Sequence, residues 1–324
     1  MGDLRAVTID AMNATDWLMD SDPAIRWQVK RDLLDVPSDE VAAERARVAT
    51  EGWGAQLLAM QGADGVWRIS DQQPDMATVR AVTQLRELGL PPRSSEARRA
   101  IALLRDSSDW LSMLPEGYAY HGRPFFKGET EPCINGRVVA AGAYFGANVS
   151  GVVERLLGEQ MADGGWNCEQ ENGSARGSFG TTINVLEGLL LYERAAVGAG
   201  GAAVADVARA RQRGEEYLLS RGLLRRVSTG QVIDPDFVQF SYPTGYHYDV
   251  LRALEYFRSG GGAPDSRVSE ALELVRDRQR NDGTWPLDAL HSDDIAFGYG
   301  ESVGESSRWN TLRALRVLRW AGMS

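Results

Sequence analysis

Cysteine and histidine are scarce in this 324-residue chain: there are two cysteines, Cys133 and Cys168, and three histidines. Two cysteines are too few for the disulfide framework of a small secreted domain. No apolar run approaches the roughly 20 residues that cross a bilayer. The opening segment also lacks the basic and apolar regions of a secretion signal, so a cytoplasmic protein with no transmembrane segment is expected. A basic surplus is missing too. The 35 Lys and Arg against 45 Asp and Glu leave a net charge of −10, which argues against nucleic acid as a partner and against docking on anionic lipid. Gly-rich nucleotide loops, G-x-S-x-G and H-E-x-x-H do not occur, so nucleotide and standard hydrolase chemistry gain no support.

What the chain has is self-similarity. Residues 61–67 read QGADGVW, residues 160–166 QMADGGW and residues 279–285 QRNDGTW. All three fit Q-x-x-x-G-x-W with Asp before the Gly, and they lie 99 and 119 residues apart. That is about twice a unit of roughly 50–60 residues, so degenerate units are expected between them, ending near Trp110 and Leu224. Each copy follows an amphipathic helical stretch. The Gly supplies the positive φ that stops the helix, and the Trp two residues on packs back against the turn.

After each turn the pattern gives a loop and then a more apolar helix. This second set reads as residues 22–36, 75–90, 133–146, 178–193, 246–258 and 306–320. The intervening set reads as residues 39–61, 94–110, 147–160, 204–224 and 266–280, with a short helix near residues 11–18 completing six pairs. Asp22 before Pro23, Ser94 and Ser306 are suitable N-caps. Residues 225–237 form a small hairpin at most. The expectation is an all-α single domain over residues 1–324, an (α/α)6 toroid whose apolar inner helices are sheathed by amphipathic outer ones. The long loops, 68–74, 111–132, 167–177, 225–245 and 286–305, then fall on one rim, where function concentrates.

The Q-x-x-x-G-x-W copies resemble the QW repeats of the terpenoid cyclase and protein prenyltransferase superfamily, which includes squalene–hopene cyclases, and the helix-pair pitch extends the resemblance over residues 15–320. The chain also looks like bacterial single-domain squalene cyclase-like proteins. The resemblance implies an α/α toroid with an apolar central cavity and an isoprenoid substrate. It does not carry the chemistry over intact. Class II cyclases hold a D-x-D-D acid motif at an inner-helix start, and the matching place here reads Gln72-Gln73-Pro74-Asp75, which leaves Asp75 as the acid the resemblance implies. Prenyltransferases hold zinc with Asp and Cys plus a later His. His247 resembles that His, but residues 174–179 supply neither Asp nor Cys.

The inner-helix starts are rich in polar residues: Asp75 and Arg80, Cys133, Asn135 and Arg137, Thr181 and Thr182, His247, Tyr248, Asp249 and Arg252, and Arg308, Trp309 and Asn310. One reading makes Asp249, Arg137, Arg252 and Arg308 a structural ion-pair network. The other makes them a polar site beside an apolar cavity. In the second, Asp249 with His247 is the acid–base pair, and Arg137, Arg252 and Arg308, with Asn135, Tyr248 and Trp309, bind substrate and any anionic head group. Cys133, Cys168 and His247 come from successive repeats and form a candidate zinc set, with Asp249, Glu131 or water as fourth ligand; buried, metal-free cysteines are the alternative. His121 and His291 lie in rim loops. Trp27, Phe126, Phe240, Tyr242, Tyr246 and Trp309 either line a pocket or fill the core. Two functions follow: an enzyme acting on a small apolar, isoprenoid-type molecule, or a non-catalytic toroid that binds a lipid-like ligand or a protein partner through its rim loops.

Overall fold

The computed structural model describes residues 14–69, 72, 74–107, 109–110, 123–196, 202–292 and 295–323. After a helical stretch at 14–19, twelve further α-helices run through these residues in chain order. They are α1 (Pro23–Asp32), α2 (Ser38–Ala46), α3 (Gly52–Ala59), α4 (Pro74–Leu88), α5 (Ser95–Ser107) and α6 (Pro132–Phe145), followed by α7 (Ser150–Gly158), α8 (Phe179–Ala195), α9 (Ala202–Leu219), α10 (Val250–Gly260), α11 (Ser269–Asp277) and α12 (Arg308–Trp320). Two two-stranded pieces, Asp109–Trp110 with Arg123–Pro124 and Trp285–Pro286 with Ser306–Ser307, are the named strands. The segment read as a hairpin closes through one antiparallel bridge, Arg225 with Val232.

The chain divides into two compact units, residues 57–221 with 293–297, and residues 1–56, 222–292 and 298–324. In the first, α4, α6 and α8 pack side by side in that order. Glycine sets the spacing of α6 and α8. A Cβ on Gly136 would stand 2.4 Å from the Asn184 carbonyl oxygen, and one on Gly188 would stand 2.3 Å from that of Gly136. The two backbones therefore approach as closely as only glycine allows. In the other unit, α10, α12 and α1 form the corresponding row. These six are the helices expected to be the inner set; Asp22 caps the first as expected, whereas the last is capped by Ser307 and not by Ser306. Asp22 accepts from the Ala24 amide, Ser178 from Thr181, Asp249 from Arg252 and Ser307 from Asn310.

Several boundaries differ from expectation, and for two of them the cause is plain. The stretch 39–61 is not one helix: it breaks around a 3-10 turn, Arg47–Ala49, and Gly52, whose φ is +62°. Val48 and Ala49 are buried there, so tertiary packing rather than helix propensity shapes the chain. The stretch 246–258 starts as helix only at Val250, because Asp249 takes an extended conformation and caps it.

The three Gln–Gly–Trp turns are built alike. Gly65, Gly164 and Gly283 have φ of +84°, +90° and +80°. Trp67, Trp166 and Trp285 are fully buried, and their indole N–H groups donate to the carbonyls of Leu57, Leu156 and Val275 at 2.7, 2.7 and 2.6 Å. Each acceptor lies in the last turn of the preceding helix, α3, α7 or α11, where carbonyls lack i→i+4 partners. The Trp backbone amides donate to the hydroxyls of Thr78, Thr182 and Thr311 at 3.1, 3.0 and 2.9 Å, each in the first turns of the next helix. One residue thus clips the end of one helix to the start of the next. Trp166→Ala should cost about 3–5 kcal/mol, the range for truncating a buried aromatic. Trp166→Phe should cost less, since the ring keeps most of its packing. Urea unfolding followed by circular dichroism checks both.

Candidate functional site

Three groups of residues could carry chemistry. In the first unit, α6 begins on Pro132 after the loop residues 128–131. Asn135, fully buried, clamps that loop: its Oδ1 accepts from the Glu129 amide at 2.8 Å and its Nδ2 donates to the Glu129 carbonyl at 2.9 Å. Asn135 therefore shapes the backbone rather than offering itself to a ligand. The clamp leaves Glu131 beside Cys133, with Sγ 3.6 Å from Glu131 Oε2. Cys168, at the head of a 3-10 turn capped by Asn167, brings its Sγ to 2.9 Å from that of Cys133, and the Thr181 hydroxyl lies 3.4 Å from it. The hydrogen bond between the two thiols splits them. It raises Cys133, with burial and the Glu131 charge adding, and it lowers Cys168 against the opposing effect of burial.

Glu131, Cys133 and Cys168 have their ligand atoms all within 4.8 Å of one another. The expected set had His247 in that company. The group seen among the described residues has Glu131 instead, and His247 belongs to the other unit, where its ring stacks on His291 at 3.5 Å. Arg137, also in the first unit, donates from Nε to Asn184 Oδ1 at 2.9 Å, tying α6 to α8. Both residues are buried. Asp75 lies in α4, but its side chain is outside the described residues, as is His121.

In the other unit the expected acid–base pair resolves differently. Asp249 is 1 % exposed and sits before α10, not within it. Its carboxylate accepts from the Arg252 amide at 2.6 Å and lies 3.5 Å from the Arg313 guanidinium, which is also buried. Arg313 donates in addition to the Ser241 carbonyl and to Asn310 Oδ1. The Arg252 guanidinium is turned to the carbonyls of Gly245 and His247. Tyr248 donates its hydroxyl to the Leu223 carbonyl at 2.6 Å. Asp249 is paired with Arg313, a residue outside the network expected from the sequence.

The same unit holds a cavity of about 530 Å³ walled by Trp17, Trp53, Tyr299, Asp22, Glu301 and Arg308 among others. Trp53 and Tyr299 have ring centroids 4.7 Å apart, and behind them Tyr242 stacks on the buried Trp309 at 4.4 Å. Of the arginines expected to bind substrate, Arg308 reaches this wall. Its guanidinium lies over the Trp17 ring and donates to the carbonyls of Trp17 and Asp20. Glu301 accepts from the Ser307 hydroxyl at 2.6 Å and the Arg308 amide at 2.7 Å. Burial nevertheless holds its carboxyl above the usual range, against these hydrogen bonds and the Arg308 charge. Asp22 is raised for the same reason, against bonds from the amides of Ala24 and Trp53. Sequence reasoning missed Trp53, Tyr299 and Glu301. Glu301 stands six residues before the Ser307 cap, with no local spacing to mark it.

Asp249→Ala should cost about 3–5 kcal/mol, because it strands a buried guanidinium, and chemical denaturation reads that loss. Glu301 should show in the pH dependence of stability. Its folded pKa is raised, so its contribution is full below the unfolded value and is lost as pH rises through the folded one. Glu301→Gln should flatten that part of the profile.

The chain matches no protein-family model and no curated protein. Among solved structures it is similar to the type II terpene cyclase MstE from Scytonema. The apo enzyme aligns at 14% identity and TM-score 0.46, over 99% of this chain and 100% of that one. A variant of MstE in complex with geranylgeranyl dihydroxybenzoate, its substrate, aligns at 16% identity and TM-score 0.44, over 99% of each chain. No described helix is long and apolar enough to cross a membrane.

Proposed function

We propose that this chain is a terpenoid cyclase-like enzyme acting on an isoprenoid-bearing molecule, and that the cavity beside Glu301 receives the reacting part of it. Its architecture in this reading is the six-pair α/α toroid of one domain, with the three Gln–Gly–Trp turns as QW-type repeats. The observation that carries the proposal is a half-buried carboxyl, Glu301, set in a wall of aromatic rings. Glu301 keeps its proton to higher pH than an ordinary carboxyl, which a general acid needs. It would pass that proton to an oxygen or alkene carbon of the substrate. The faces of Trp53 and Tyr299, both on the cavity wall, would stabilise the positive charge that develops, through their ring quadrupoles. Asp22, a second carboxyl on the same wall, would in its ionised form take the proton lost by the final cation, and exchange with solvent would return a proton to Glu301. Asp75 remains the acid that the cyclase resemblance implies, and the Glu301 reading is independent of it.

The test is turnover. The protein is incubated with farnesyl- and geranylgeranyl-bearing alcohols, phenols and epoxides, and products are read by mass spectrometry. Isomeric cyclic products are expected, with turnover falling as pH rises through the folded pKa of Glu301. Glu301→Gln should lower the rate by about 10²–10⁴-fold, the usual worth of a general acid, while quenching of tryptophan fluorescence by the substrate persists. Binding without turnover in the wild-type protein would instead favour a non-catalytic carrier of lipid-like ligands. Turnover unaffected by Glu301→Gln would move the acid elsewhere.

A further inference from the structure

We infer that Glu131, Cys133 and Cys168 form a binding site for one thiophilic divalent cation, zinc by preference. The argument begins with charge. Two partly buried thiols and a carboxylate converge so that their ligand atoms lie within 4.8 Å of one another. Such a cluster is repulsive once the thiols ionise. A cation relieves that repulsion, and the site is built for one. Cys133 is the second residue of the 14-residue helix α6, whose N-terminal dipole favours a thiolate. The Asn135 clamp on Glu129 fixes the loop that carries Glu131. Asn167 caps the turn that carries Cys168.

The sulfurs stand 2.9 Å apart, between the 2.05 Å or so of a disulfide bond and the spacing of two thiolates on one metal ion; the carboxylate beside them favours the metal. Two thiolates on one tetrahedral zinc, each about 2.3 Å from it, sit roughly 3.8 Å apart. Reaching that separation needs an opening of under about 1 Å, within the reach of a side-chain rotation at Cys168 in its short turn. Glu131 Oε2, 3.6 Å from Cys133 Sγ, is already at the spacing of two ligands on one ion. Soft sulfur excludes magnesium and calcium, and a hard carboxylate beside two thiolates favours zinc over copper(I). Three protein ligands leave the fourth position to water, and exposed Glu131 leaves a path for entry. On binding, each thiol releases its proton to solvent. The site lies in the unit of residues 57–221 and needs neither His247 nor the Glu301 cavity.

The experiment uses the full chain, reduced and stripped with a chelator, then titrated with cobalt(II) and afterwards with zinc. One equivalent of cobalt should give a thiolate-to-metal charge-transfer band that zinc abolishes. Elemental analysis of protein purified without added metal should find zinc. Cys133→Ser and Cys168→Ser should each remove about half of the band, and Glu131→Gln should keep it but weaken affinity by at least about tenfold, the least that loss of even an outer partner costs. His247→Ala should change neither. Circular dichroism confirms that each variant remains helical. Uptake unaffected by either cysteine variant, free alkylation of both thiols in excess zinc, or loss of binding in His247→Ala would overturn the assignment.

Discussion

A buried indole N–H left without an acceptor is costly, and the way three turn tryptophans satisfy theirs organises the fold. Trp67, Trp166 and Trp285 do so with carbonyls that a helix end leaves over, and their backbone amides meet the same need with a threonine hydroxyl on the following helix. Neither partner is free to move without stranding a buried polar group, at about 1–3 kcal/mol each. The end of one helix, the turn and the first turns of the next helix are therefore fixed together.

Those first turns explain why so many polar side chains sit where sequence reasoning looks for chemistry. An inner helix start buried among neighbours has orphan amides to satisfy. Asp22, Ser178, Asp249 and Ser307 do that work, and Arg313 neutralises Asp249. Elsewhere burial outweighs bonding: Glu301 and Asp22 keep raised carboxyls despite their bonds, and the Cys133 and Cys168 thiols are held against each other.

The helices were legible because their signals are local: period 3.6 patterning, Pro23 after Asp22, glycine at the turns. The threonine partners were not, since nothing in the sequence couples Trp166 to Thr182 sixteen residues on. Long-range geometry hid more. Asp249 pairs with Arg313, and Trp53 joins the cavity because its amide donates to Asp22 Oδ2, 31 residues earlier. The break at Gly52, where a Cβ would strike that same oxygen, is invisible until Asp22 is placed. Cys133 and Cys168 could be paired from the sequence because soft ligands are few. Glu131, named there only as one choice of fourth ligand, stands in the observed group where His247 was expected.

The glutamines of the three turns differ in one respect. Gln61 and Gln160 each donate twice, once within the turn and once to the next outer helix, at the carbonyls of Ala100 and Ala210. For Gln279 the bond within the turn, to Gly283, stretches to 3.4 Å. The first two turns act as stitches that pass from one outer helix to the next. The last behaves as the end of the seam, and fraying should begin there. Amide hydrogens around residues 279–285 should then exchange with solvent sooner than their counterparts at 61–67 and 160–166, and a protease should find its first cut there.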